Sequence, residues 1–309
     1  MASALMKRAE WAMDNGAHAT ALTLCDKIVQ QAPGFARVYF LRGQALSHLH
    51  QHEAAGIAFA KVAELHPEFP LIHLHQGNNA AQRKRFREAL AFYQAEQAAL
   101  QTHDPSEKKR ALLLQIGRVH KELRELESAL AALREAVNLD EKFHEAHDEL
   151  GQIYQEQGEL ERALAERTRA MELQPENGEY AYYLGALFVQ LGRAQEALPY
   201  LEKALAQRPW FYGVHYNLGR ALLALDRQQA GEHHLAIADS LQNRNSQLGV
   251  ARTNAEQSRS AEKWRAYADM LAHDGRFEEA LAAYQTALVL NPRDSLAAQG
   301  AQKIFKTER

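Results

Sequence analysis

Histidine is the residue type with the most chemistry to offer in this chain: there are fifteen, against a single cysteine, Cys25. His48 and His52 are four apart, a spacing that sets two imidazoles on one helical face and could hold a metal or haem iron, with His50, His73 and His75 nearby in sequence. The same residues stand where one helix is expected to end and the next to begin at Glu53. Solvated turn positions are therefore the preferred reading, and metal or haem handling is a remote alternative. His233 and His234 are adjacent and cannot share a helical face. Cys25 alone can form neither an internal disulfide nor a cysteine zinc site, and it falls where a buried apolar residue is expected. No cofactor and no metal site is expected.

Two basic runs, Arg83-Lys84-Arg85-Phe86-Arg87 and Lys108-Lys109-Arg110, could form a phosphate or nucleic-acid patch. Both fall in polar turns. Lys and Arg number 36 against 39 Asp and Glu, a net charge of -3, so no basic field draws the chain to nucleic acid or anionic lipid. A solvated edge is expected instead, and nucleic acid is not an expected partner. The sequence holds no GxSxG, HExxH or GxxxxGK[ST] and no GxGxxG after a strand, so an enzyme is not expected. At 46% apolar and 24% charged the chain is too apolar to be disordered, and no window holds the ~18 consecutive apolar residues of a membrane span.

The elements that must position any such residues are helices. Ala, Leu, Glu, Gln and Arg dominate while Val, Ile and Thr are sparse, which favours helix over strand throughout. Small residues then recur with a fixed period. Gly43, Gly77, Gly117, Gly151, Gly185 and Gly219 are spaced by 34, 40, 34, 34 and 34 residues, and Ala9 lies 34 before Gly43. Twelve residues after each comes a second small one: Ala21, Ala55, Ala89, Ala129, Ala163, Ala197 and Gly231, with Ala280 following Ala268. Pro33, Pro67, Pro175, Pro209 and Pro292 each fall 24 after the first small position. Two antiparallel helices per unit follow: small residues let them approach, Phe59, Tyr93, Leu201 and Tyr284 fill the remaining space, and Pro ends the second helix. Asn15-Gly16, Gln157-Gly158, Gly192-Arg193 and Asp274-Gly275 mark the turns between.

These residues resemble the tetratricopeptide repeat family, whose pattern is legible in Leu150-Gly151, Tyr154, Gly158, Ala163-Leu164, Ala170, Leu173 and Pro175, and again from Leu184-Gly185 to Pro209. The resemblance covers almost the whole chain. It implies an all-α, right-handed superhelical solenoid of about eight helix-turn-helix repeats, a single array over 1–309 with units starting at 2, 36, 70, 110, 144, 178, 212 and 261. Insertions are expected at 104–109, as a helix end and polar turn, and at 246–260, as a helical extension and loop projecting from the stack. Residues 294–309 read as a capping helix, with Asp294 as N-cap and Leu296, Ile304 and Phe305 facing the last repeat. Gly231, before the second insertion, is where the stack should be least regular. The first unit begins almost at Met1 with no cap before it, which favours a piece of a longer protein. A complete chain would be cytoplasmic, and one whose N-terminal signal was removed would be periplasmic or secreted.

In the family that the chain resembles, first helices line a concave groove that binds an extended peptide or a partner's helix. Carried over position by position, this implies a groove of Phe40, Gln44, Leu74, Asn78, Arg118, Asp148, Gln152, Tyr182, Tyr216, Asn217 and Arg220. It has an apolar end with amides, a basic strip against an acidic one, and an aromatic platform at Tyr182, Tyr183, Tyr216, Asn217 and Arg220. The chaperone-tail subclass uses Lys and Asn, then Asn, then Lys and Arg in successive units. Asn217 matches the middle residue, but Tyr182, Ala186, Glu262 and Ala266 depart from the rest, so that ligand is disfavoured. Arg167 takes an inward position where other units carry Phe59, Tyr93, Leu133, Leu201 and Leu235, so it must reach the surface or pair with Glu145, Asp148 or Glu149. The expected function is a non-catalytic protein-protein interaction scaffold or adaptor for a protein or peptide partner. The alternative is a self-associating, homo-oligomeric module of a larger enzyme or secretion assembly, joined through the first unit or the 246–260 segment.

Overall fold

The computed structural model describes residues 2–100 and 106–307, and among them there are seventeen helices and no strand. The helices pack as consecutive hairpins: α1 (Ala2–Asp14) with α2 (His18–Gln31), α3 (Ala36–His48) with α4 (His52–Leu65), α5 (Ile72–Gln82) with α6 (Phe86–Ala99), and α7 (Ser106–Glu122) with α8 (Leu126–Leu139). They continue with α9 (His144–Glu156) and α10 (Leu160–Leu173), α11 (Gly178–Gln190) and α12 (Ala194–Gln207), α13 (Tyr212–Ala224) and α14 (Gln228–Ser258), then α15 (Ala261–His273) and α16 (Phe277–Leu290). A last helix, α17 (Ser295–Thr307), packs on α16. The chain divides into two compact units, Met1–Glu96 with Gln247–Arg309, and Gln97–Ser246. They are called the terminal and the central unit for their places in the sequence.

The periodic small residues are what let each hairpin close. A Cβ on Gly43 would lie 2.5 Å from the Phe59 ring, one on Gly117 2.6 Å from Leu133 Cγ, and one on Gly185 2.7 Å from Leu201 Cγ. Each glycine is thus the hollow that receives the large side chain of the partner helix. The second column of small residues is fully buried where it is alanine, as at Ala55, Ala129 and Ala197.

Every hairpin turn places one residue in the left-handed region. Gly16, Gly158, Gly192 and Gly275 do so at φ 70 to 79°, and His50, Lys84, Arg124 and Asp226 hold the equivalent places at φ 56 to 62°. A side chain costs about 1–2 kcal/mol in that conformation, so glycine marks only the turns where the strain has been relieved.

Several expectations need correction. Residues 246–258 do not project as a loop: they are the last turns of the 31-residue α14. Leu248, Ala251 and Ala255 form a stripe at i, i+3 and i+7 that packs into the core of Trp264, Tyr267 and Leu271. Only Arg259, at φ 48°, and Ser260, the N-cap of α15, break the helix. Gly231 does not interrupt α14 either, because its missing Cβ leaves room for Leu223, which would otherwise lie 2.7 Å away. Of the insertion at 104–109, residues 104–105 lie outside the described residues and 106–109 are the first turn of α7. Asp294 does accept the Ala297 N–H at 3.1 Å at the start of α17, and Arg265 Nη1 bonds both its oxygens at 2.9 Å. The face that α17 buries, however, is Ala297, Ala301 and Ile304, while Leu296 and Phe305 are exposed.

The first hairpin is not left bare. Within the terminal unit α2 packs against α16, and Gln285 Nε2 donates to Gly16 O at 2.6 Å. Val289 of α16 packs against the core cluster that contains Ala21, Leu46 and Phe59. Two hairpins some 270 residues apart in sequence thus share one core, as the 269-residue separation of that hydrogen bond records.

Candidate partner-binding surfaces

In the central unit, α7 and α9 carry the predicted charged strips, and most of these side chains hold one another. Glu149 is buried, accepts from Arg118 Nε at 2.6 Å and is bridged by Lys121 Nζ at 2.5 Å, and the same ammonium reaches Gln152 Oε1 at 2.7 Å. Burial alone would raise the Glu149 carboxyl, but Lys121 and Arg118 outweigh it and hold it below its ordinary value. Sequence reasoning offered Glu149, which lies between two groove positions, only as a partner for Arg167 and missed its pairing with Arg118 and Lys121. The signal that could have found it is a carboxylate one helix across from the paired cations Arg118 and Lys121.

Arg167 occupies the hollow beside Gly151 and is only 4% exposed. As expected it pairs rather than standing alone: Nη1 bonds Asp148 Oδ1 at 3.0 Å and the guanidinium lies 4.7 Å from the Tyr183 ring centre. Among the described residues its buried Nε has no hydrogen-bond partner. Burial pushes the Asp148 carboxyl up to about 6, and the Arg167 charge offsets only part of that penalty because Glu149 and Glu179 stand close by. Asp148 therefore works inside the fold.

The aromatic end of this unit is different. Tyr182 is half-buried against Phe211, with ring centres 4.8 Å apart, and Tyr183 is tied to Glu179 through its hydroxyl at 2.9 Å. Asn217 is buried rather than presented: its Nδ2 donates to Gly213 O at 2.9 Å, one turn back on α13. Tyr216 is 47% exposed and Arg220 is exposed beside it, with its guanidinium 5.8 Å from the Tyr216 ring. Among the described residues Arg220 has no carboxylate partner.

In the terminal unit Phe40 is half-buried, edge-on to His75 at 4.7 Å and 4.9 Å from Phe69. The Leu74 N–H donates to Glu96 at 3.1 Å, and Asn78 Oδ1 accepts from the Tyr93 hydroxyl at 2.8 Å. Gln44 and Asn78 line one cavity. The structure thus places Phe40, Gln44, Leu74 and Asn78 in one unit and the other seven predicted positions in the other.

His48 ends α3, His52 opens α4 and His50 takes the left-handed turn between them. His48 stacks on His18 at 4.2 Å and 5°, and burial with the nearby His48 lowers the His18 imidazole to about 4. Among the described residues no three His, Cys, Asp or Glu side chains converge as metal ligands would. His234 meets the buried His215, with their Nδ1 atoms 2.9 Å apart. In the basic runs Arg83 is bonded to Glu53 at 2.5 and 3.0 Å, Arg85 lies beside Glu53 and Glu88, and Arg110 pairs with Asp140 over the Phe143 ring. Cys25 is buried, and burial with the neighbouring Asp26 pushes its thiol up to about 12.

Tetratricopeptide repeat profiles match residues 36–69, 111–143, 149–209, 188–247 and 261–294. Among solved structures the chain is similar to a tetratricopeptide repeat protein from Parabacteroides merdae, at 14% identity and a TM-score of 0.60 over 78% of this chain and 93% of that one. It is also similar to PilW, a type IV pilus biogenesis factor, at 18% identity and a TM-score of 0.60 over 69% and 96%. A third likeness is to the Cut9–Hcn1 hetero-tetramer of the APC/C, at 18% identity and a TM-score of 0.53 over 97% of this chain and 55% of that one. At these identities the likeness is one of fold. No curated protein matches the sequence. With its hairpins, its glycine hollows and profile matches over more than half its length, the chain belongs to the tetratricopeptide repeat family.

Proposed function

We propose that the chain is a non-catalytic interaction scaffold, one 34-residue repeat to each hairpin, that holds a peptide segment or partner domain with Tyr216 and Arg220 as anchors. One observation carries this reading. Arg118, Asp148 and Gln152 are engaged with their own neighbours, whereas Tyr216 and Arg220 stand free on one face of α13. A tyrosine ring gives contact area at low entropy cost, and an unpaired guanidinium beside it binds a carboxylate or a main-chain carbonyl of the partner. Asn217 supports the platform from within, bonded to the backbone of α13 one turn back.

The self-associating alternative leaned on a bare first hairpin and a projecting 246–260 segment. Residues of both are packed inside the terminal unit, by α16 on α2 and by Leu248 and Ala255 in the last core. The adaptor reading is tested with a peptide selected from a displayed random library against the whole chain, its affinity measured by fluorescence anisotropy. Tyr216→Ala with Arg220→Ala should weaken binding by about 100-fold, the loss expected of two central anchors. An unchanged affinity would remove Tyr216 and Arg220 from the binding face.

A further inference from the structure

The terminal unit carries a second lining of opposite chemistry. Among α3, α4 and α5 lies a cavity of 440 Å³ with Phe59 in its wall and a rim of Gln44, Ser47, Asn78, Asn79 and Gln82. His48, His50, His52 and His75 complete it, and no Asp, Glu, Lys or Arg contributes to the lining. Some of its polar groups are already engaged: Ser47 Oγ donates to Gly43 O at 2.9 Å and Asn79 Nδ2 to His52 O at 2.9 Å. Asn78 uses its oxygen for the Tyr93 hydroxyl, which leaves its two N–H donors open. The carboxamides of Gln44 and Gln82 make no hydrogen bond among the described residues and are not sealed from solvent.

We propose that this cavity binds an uncharged, extended peptide segment through its main-chain amides. The free groups are carboxamides, each offering donors and an acceptor, and Asn78 and Gln82 stand four apart on one face of α5. An extended backbone presents the complementary series of carbonyls and N–H groups. A charged segment would lose its hydration here and meet no free counter-charge in the lining: the nearest cations, Arg83 and Arg252 beside His52 and His50, are held by Glu53 and Glu256. The imidazoles of His50, His52 and His75 do not supply one at neutral pH, since burial lowers all three. Side chains that fit beside Phe59 and the amides are Ser, Thr, Asn, Gln and small apolar residues.

The inference rests on the reading of the chain as a peptide binder, and the experiment separates the two. An array of twelve-residue peptides, graded from strongly acidic through neutral to strongly basic, is probed with the whole chain at neutral pH, and the strongest binders are remeasured in solution. The expected binders of this cavity are uncharged, and their affinity changes less than about twofold between low and high salt, as contacts without ion pairs should. Gln44→Ala with Gln82→Ala weakens them by about tenfold, the size of two neutral hydrogen bonds, while Tyr216→Ala with Arg220→Ala leaves them unchanged. Gln44→Glu with Gln82→Glu moves the preference to basic peptides, and circular dichroism confirms that each variant is folded. Binders that are charged, or that ignore both glutamine pairs while responding to Tyr216 and Arg220, overturn this inference and leave the scaffold reading standing. Peptides that ignore all of these substitutions, or an array with no binder, overturn both.

Discussion

The two units are made from the same hairpin, yet their polar faces are opposites. In the central unit Arg118, Lys121 and Glu149 form one network and Arg167 with Asp148 a buried pair, so of the predicted groove charges Arg118, Asp148 and Arg220 the fold consumes the first two and leaves Arg220, beside Tyr216, without a carboxylate partner among the described residues. In the terminal unit the corresponding lining around Gln44, Asn78 and Gln82 carries no formal charge, and the carboxamides of Gln44 and Gln82 make no hydrogen bond among the described residues. The difference teaches that a repeat position does not make a side chain available to a partner. Availability is decided by whether a neighbouring helix supplies a counter-group within reach: Gln152, held by Lys121, and Gln44, which makes no hydrogen bond among the described residues, hold equivalent family positions with opposite outcomes.

The hardest way to break this contrast is to remove one half of the buried pair. Arg167→Ala leaves Asp148 buried beside Glu149 and opens the hollow at Gly151, and should cost about 3–5 kcal/mol in denaturant unfolding. Arg167→Leu with Asp148→Asn restores the side chain that Leu133 and Leu201 provide elsewhere, and should be neutral or stabilising by about 1–4 kcal/mol. If the single and double variants unfold together, the charges contribute nothing to the central unit's fold.

A smaller effect tests what the units share. Gly185→Ala would bring a methyl within 2.7 Å of Leu201 and should destabilise by about 1–3 kcal/mol, whereas Gly249→Ala meets nothing within 4 Å on α14 and should stabilise by about 0.5–1 kcal/mol. Equal responses would mean that the glycine column is not what sets helix approach. On the terminal side, Gln285→Ala deletes the hydrogen bond to Gly16 and should cost about 1 kcal/mol, with faster amide exchange in α2. Exchange unchanged in α2 would argue that Val289 alone joins the two hairpins.

What the sequence disclosed follows the same division. The hairpins were legible because close helix approach needs a small residue at every unit, so the requirement repeats and can be counted. The Arg167–Asp148 pair was legible because a guanidinium at an inward position must find a carboxylate. The contact of Gln285 with Gly16 was not, because nothing periodic encodes a meeting of residues 269 apart. The helical extension of α14 was expected, but its packing was missed because Leu248, Ala251 and Ala255 make a stripe only one side chain wide. Asn217 looked like a groove contact because its type suits one, and its bond to Gly213 O one turn back leaves no trace in composition. The turns at His50, Lys84, Arg124 and Asp226 were silent for a related reason: a left-handed residue need not be glycine when the surrounding hairpin holds it.

The finest probe of the contrast is titration, where the units should invert the usual order of acid and base. His18, burial-depressed and stacked on His48, should protonate only near pH 4, while the buried Asp148 should hold its proton until about pH 6. Between about pH 4 and 6.5 the unfolded chain binds more protons at His18 than the folded one does, so that residue's contribution to stability is present at neutral pH and is lost as the pH falls. At Asp148 the folded state binds more protons between about pH 4 and 6, so its contribution weakens as the pH rises through that window. Glu149 and His234, both lowered, act in the same sense as His18, which makes the whole-chain stability curve a mixture. The separate readings come from side-chain NMR titrations and from His18→Asn, which should shrink the stability difference between pH 7 and pH 5 by on the order of 1 kcal/mol once solvent screening is allowed for. An Asp148 carboxyl that titrates below the His18 imidazole would show that the central unit's pair is wetter than its packing implies, and would erase the electrostatic difference between the two faces.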